Sequence, residues 1–191
     1  MTDDLQTPLM MNNDVLETPS RYGLTAILLH WLVALLIGAA FALGVVMVDI
    51  PGLTPTKLRY FSWHKWLGVS VLALAALRLV WRWWRGVPPA ENMPVWQQRA
   101  AAVGHALLYV LMFAVPLSGY FYSLAAGVPV VYLGVWPLPV LMGTDPVLKP
   151  VLKQLHIALV YVMLVIIMVH ILAALKHHFV DRDSVLKRIL P

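Results

Sequence analysis

Residues 155–174, LHIALVYVMLVIIMVHILAA, are almost wholly apolar yet carry two imidazoles, His156 and His170. A run of this length without a fixed charge is long enough to cross the hydrocarbon of a bilayer as one helix. The two histidines are fourteen residues apart, close to four helical turns, so their rings fall near one face. At a rise of 1.5 Å per residue they stand ~21 Å apart along the axis, one near each membrane surface. An ionisable side chain at that depth costs a few kcal/mol unless it is paired, so each ring is a candidate functional residue. Two rings at this spacing predict two stacked sites.

The remainder of the chain supports a membrane reading. Hydrophobic types make up 61% of the residues and charged types 12%, and the mean hydropathy is +0.78, which excludes an ordinary soluble domain. The sequence holds no cysteine, so disulfides, iron–sulfur clusters and thiolate metal sites are excluded and histidine is left as the good nitrogen ligand. A net charge of +5 does not point to nucleic acid here, because the basic residues gather beside tryptophans at the ends of apolar runs, as membrane flanks do.

Apolar runs long enough to span lie at about residues 24–48, 63–83, 99–122 and 152–175, predicting an all-α transmembrane four-helix bundle. Residues 1–20 are acidic and polar without apolar periodicity; they read as a flexible tail, and their acidic start is unlike a secretory signal. Pro51, Gly52 and Pro55 break the chain between the first two spans, and the second closes on the cationic aromatic belt around Arg78, Arg82 and Arg85. Pro116 lies inside the third span, where a kink is tolerated. Residues 123–149 are apolar but too broken by Gly and Pro to cross again, so they are expected to fold as a cap on the bundle mouth. Residues 176–191 are basic and amphipathic, as a helix lying on the membrane surface would be. With both termini cytoplasmic, nine Lys and Arg residues lie inside and five outside, the sense in which basic residues are expected to be distributed.

This topology converts positions into depths. His64 and His156 both open inward-running spans and meet near the outer face, while His30, His105 and His170 all lie near the inner face, three candidates for two places. A bundle core is the usual place for a cofactor in a helical protein, and opposed imidazoles whose nitrogens lie ~4 Å apart would hold the iron of a planar haem. Zinc is disfavoured, because no carboxylate or third ligand shares the depth of the outer pair. Ala26 and Ala34 flank His30, Gly68 follows His64 by four and Ala174 follows His170 by four, small residues that would admit a porphyrin edge. Arg78, fourteen residues after His64, falls at the depth of His170 and suits the carboxylates of an inner haem. His105 has bulky Tyr109 four residues on and reads either as an inner ligand or as a hydrogen-bonding group near a propionate or quinone. His177 and His178 read as surface residues at the helix end or as part of a quinone site or proton relay; Arg21 is a further inner-face quinone candidate. At the outer face Lys57, Arg59, Lys65, Lys149 and Lys153 outnumber Asp49 and Asp145, a positive mouth that would steer a small anion, with Lys65 and Lys153 the residues to neutralise.

His30-Trp31, Trp63-His64, Gly104-His105, Ser118-Gly119, the stretch GVWPLPVL at 134–141, Leu155-His156, His170 and His177-His178 form a pattern that resembles the bacterial cytochrome b561 family. The likeness runs from about Arg21 to the C-terminus. It implies four helices holding two b-type haems, with His30 and His170 ligating the inner iron and His64 and His156 the outer. It further implies single-electron transfer between an outer donor and quinone: either superoxide oxidation coupled to ubiquinone, or electron carriage for a periplasmic protein. A non-redox bundle with histidine-mediated packing would instead be colourless.

Overall fold

The computed structural model describes residues 21–89 and 93–190, which form four long helices. These are α1 (Leu24–Asp49), α2 (Pro55–Arg85), α3 (Val95–Ala125) and α4 (Leu148–Lys176). All four are long and apolar enough to cross a membrane, α4 together with the turn that follows it. In hydrocarbon no water is available to the backbone, so a chain of this composition satisfies its amides within helices. The expected tail over residues 1–20 lies outside the described residues.

α2 begins at Pro55, well before the apolar run. The Thr54 hydroxyl accepts from the Lys57 amide at 3.2 Å and Pro55 takes the first helical position, where its missing N–H costs nothing. The proline expected to break the chain therefore starts a helix. Gly86, at φ 71°, ends it in a conformation that favours glycine. Pro116 sits inside the continuous helix α3.

Close backbone packing joins α1 to α2 and α3 to α4, with a lesser contact between α2 and α3. The molecule is thus two helical hairpins, and α4 makes at most marginal backbone contact with α1 and α2. Val33, Ala75, Leu111, Met112 and Met163 form the buried centre, one or two residues from each helix. Met163 stands halfway between His156 and His170 on α4.

Between α3 and α4 the chain folds as a cap. β1 (Val131–Tyr132) pairs antiparallel with β2 (Trp136–Pro137) around a tight turn in which Leu133 and Gly134 both have positive φ, 53° and 72°. The hairpin is fastened to α2 by the Trp66 indole, which donates to Val131 O at 2.8 Å, and by the Ser70 hydroxyl, 2.9 Å from the Tyr132 hydroxyl. The Tyr120 hydroxyl donates to Pro139 O, and Asp145 N donates to Ala125 O at 3.0 Å. Asp145 Oδ1 then accepts from the amides of Val147 and Leu148 at 2.9 Å each, opening α4.

The C-terminal segment departs from expectation. In place of a surface helix, a π turn (His177–Asp181) continues α4, and after a reversal a short 3₁₀ turn (Leu186–Arg188) follows. Its residues bond back to the bundle, so their amphipathic pattern reflects packing on α1 instead of a free membrane-surface helix.

Candidate functional site

Four histidines face one another in two pairs across the space between the hairpins. His64 on α2 faces His156 on α4 with ring centroids 6.3 Å apart, and His30 on α1 faces His170 on α4, also at 6.3 Å. A metal bonded by two opposed imidazoles at about 2 Å each, with each ring centre about 1.1 Å behind its nitrogen, needs ring centres about 6 Å apart. Both pairs have the spacing for such a metal, and they sit at opposite ends of the bundle.

Hydrogen bonding at the His64–His156 pair, the one expected at the outer face, leaves one nitrogen of each ring free. His64 Nδ1 lies 2.8 Å from Ala40 O and His156 Nδ1 lies 3.1 Å from Val115 O. A carbonyl only accepts, so each Nδ1 carries the proton and each Nε2 keeps its lone pair for a metal. Ser118 donates to the same Val115 carbonyl at 2.8 Å and stands 3.0 Å from His156 Nδ1. At the inner pair, His30 Nδ1 is buried with no hydrogen-bond partner among the described residues.

Two glycines make room for the outer rings. A Cβ on Gly119 would stand 3.0 Å from His156 Cε1, and one on Gly44 would stand 3.3 Å from His64 Cε1. Gly119 belongs to the Ser118-Gly119 motif, but Gly44 escaped the sequence reading. Its signal is a glycine inside a helix of strong helix formers, a position that costs about 1 kcal/mol against alanine and so asks for a packing reason. The missing Cβ of Gly68 would stand 4.0 Å from Pro116 Cβ, so this glycine lies where α2 passes α3.

His105 is nearest to His170, with centroids 5.5 Å apart, but it stands on α3, the helix packed directly against α4. It therefore lies beside His170, whereas His30 faces it from the other hairpin. Arg78, half-buried, carries its guanidinium 5.8 Å from the centre of the Tyr109 ring and lies close enough for its charge to act on His30, His105 and His170.

The other candidates are more dispersed. His177 Nδ1 bonds Asp183 Oδ2 at 2.6 Å and Asp181 Oδ2 at 3.1 Å, while Lys176 Nζ holds Asp181 at 2.6 Å. His178 packs its ring on Phe179 and its buried Nδ1 has no partner among the described residues. Arg21 donates to Leu190 O. At the end of the bundle that carries His64 and His156, Lys65, half-buried, lines a cavity of about 200 Å³ with Ser62, Trp66, Val130 and Gly134, under the cap hairpin. Lys153 is exposed on α4, three residues before His156.

Residues 21–191 match the family described as prokaryotic cytochrome b561. The chain is 34% identical over 177 residues to cytochrome b561 homolog 2 of Escherichia coli (strain K12), covering 91% of this chain and 93% of that protein. It is 28% identical over 176 residues to cytochrome b561 homolog 1 of the same organism, covering 90% and 98%. A third similar protein is the probable superoxide oxidase CybB of Yersinia pestis, 29% identical over 176 residues, covering 90% and 96%. With four membrane-length helices, and a match that extends over the whole bundle, the chain belongs to the prokaryotic cytochrome b561 family of haem b membrane electron carriers.

Proposed function

We propose that this protein oxidises superoxide at the outer face of a bacterial inner membrane and delivers the electrons to ubiquinone. The observation that carries the reading is the repetition of one arrangement at two depths, a facing pair of imidazoles at 6.3 Å. In this reading His64 and His156 hold the iron of an outer haem b, His30 and His170 that of an inner one, and both termini are cytoplasmic. Haem b bound there supplies reversible one-electron chemistry at neutral pH.

The chain's own residues supply the rest. Lys65 and Lys153 stand at the level of the outer pair and attract an anion to it. Val33, Ala75, Leu111, Met112 and Met163 fill the centre with apolar atoms and keep water from joining the two ends. At the inner end Arg78 is suited to haem carboxylates, and His105, His177, His178 and Arg21 remain the candidates for quinone binding and proton delivery. Two superoxide anions lose one electron each and leave as dioxygen, while ubiquinone gains two electrons and two protons.

A second reading is a carrier without catalysis of its own, docking a periplasmic donor protein on the cap. The exposed cap residues Val135 and Trp136, 71% and 65% accessible, favour it. A redox titration of the purified protein with superoxide and ubiquinone analogues separates the two. Reduction by superoxide alone, followed by oxidation by the quinone, supports the enzyme; reduction only after a periplasmic protein is added supports the carrier.

A further inference from the structure

Beyond α4 the chain turns back. Arg182, at φ 57°, reverses its direction, and Asp183 fastens the reversal: its Oδ2 takes the bond from His177, its amide donates to His177 O at 3.2 Å, and its Oδ1 accepts from Val185 N at 3.0 Å. The returning segment then reaches the start of α1. Tyr22 N donates to Arg188 O at 3.3 Å, Trp31 Nε1 to Ile189 O at 2.9 Å and Arg21 Nη2 to Leu190 O at 2.6 Å. Val185, Leu186, Ile189 and Leu190 are half-buried along this path.

We infer that residues 182–190 are a strap that sets the distance between α1 and α4, positioning His30 opposite His170 and shielding the inner haem from water. The inference rests on the ligand assignment above. α1 and α4 supply the facing imidazoles of the inner pair, yet each packs its backbone on a different helix. The shared core around Val33 and Met163 joins them only at mid-depth, whereas the inner pair lies further along the bundle, and ligand distances tolerate only about 0.2 Å. The strap begins at the end of α4 and is bonded to the residue next to His30. The Trp31 ring stands edge-on to the His30 ring, centroids 5.3 Å apart, so the anchor touches the ligand itself.

The outer pair has a tie of the same kind. Its helices, α2 and α4, are joined by the cap, which is bonded to Trp66 and Ser70 of α2 and leads directly into α4. Each pair of facing histidines is thus braced at its own end of the bundle by a segment outside the four long helices.

The test is potentiometry and electron paramagnetic resonance on the full-length haem-loaded protein. His170→Ala and His64→Ala first assign the two low-spin signals; if His170→Ala keeps both, the ligand assignment is wrong, whatever the strap does. Trp31→Phe keeps the ring and removes its donor, and Arg21→Met keeps the stem and removes the guanidinium. Water at the inner haem favours the charged ferric state. The double variant is expected to shift the inner one-electron equilibrium about tenfold toward ferric, a fall of about 59 mV, with the outer haem unmoved. Arg21→Lys, which restores a donor, is expected to stay close to wild type. An unchanged inner midpoint, or an equal shift at both haems, would overturn the strap. Trp31→Phe alone is read by the same criteria, so poor yield of the double variant does not decide the matter.

Discussion

Gly119→Ala tests the outer site with one carbon atom. The added Cβ would stand 3.0 Å from His156 Cε1 and 3.2 Å from its Nδ1, where ordinary contact begins near 3.4 Å. The ring must retreat by about 0.4 Å, a displacement that matters at a metal bond. It has little freedom to do so, because Nδ1 is held by Val115 O at 3.1 Å on the same helix that carries the new methyl. Overpacking of this kind costs about 1–3 kcal/mol, equivalent to a roughly five- to 150-fold loss in retention of the outer haem. The helix itself gains, since alanine is about 1 kcal/mol better than glycine in a helix interior. The expected result is a stable protein with one haem well retained and the other depleted or shifted, read as the haem-to-protein ratio and the amplitude of the outer redox step. Gly104→Ala is the control, because nothing lies within 4 Å of its new carbon, and Gly44→Ala, at 3.3 Å from His64 Cε1, is expected to fall between the two. If Gly119→Ala binds two haems with the midpoints of Gly104→Ala, the glycine is not a cradle and the outer ligand assignment loses its main steric support.

Other substitutions probe the remaining parts. His170→Ala and His64→Ala should each halve the haem content and abolish a different low-spin signal; loss of both signals from either variant would contradict two independent sites. Lys65→Met with Lys153→Met should slow reduction by superoxide about tenfold at low ionic strength and flatten its salt dependence while leaving the haem spectra unchanged. An unaltered rate would remove the steering role. Leu133 holds a left-handed backbone at the cap hairpin, which costs a branched residue about 1–2 kcal/mol. Leu133→Gly should therefore raise thermal stability slightly, and a clear fall in the unfolding temperature would show that the Leu133 side chain outweighs the strain.

What could be read in the sequence was whatever varies along one dimension. Hydropathy marks four crossings, and residue counting assigns each histidine a depth, which is why His64 and His156 could be matched by counting alone. Depth could not choose among His30, His105 and His170, because the choice depends on which helices pack side by side. That is tertiary: with α3 packed on α4, His105 becomes a neighbour of His170, and His30 comes from across the space between the hairpins. Helix ends were misplaced where polar capping extends a helix past its apolar run, as Thr54 and Pro55 do for α2.

The cap was expected from its composition, but the bonds that fasten it and the C-terminal strap were the least legible, for a chemical reason. Trp66 and Trp31 stand in the sequence as interfacial aromatics, a sufficient account of either on its own. Their partners are Val131 O and Ile189 O, and the imidazoles of His64 and His156 likewise bond Ala40 O and Val115 O. All four acceptors are main-chain carbonyls, which every residue carries, so the side chains at those positions give no sign of the bond. A device built from such acceptors appears only when the chain is folded. It follows that substitutions at Val131 or Ile189 that keep the backbone path should spare the haems, whereas loss of the indole donors at Trp66 or Trp31 should disturb the outer and inner sites respectively. Measuring both midpoints in Trp66→Phe and Trp31→Phe checks that separation: a common response in the two variants would mean that the braces do not act each at its own end.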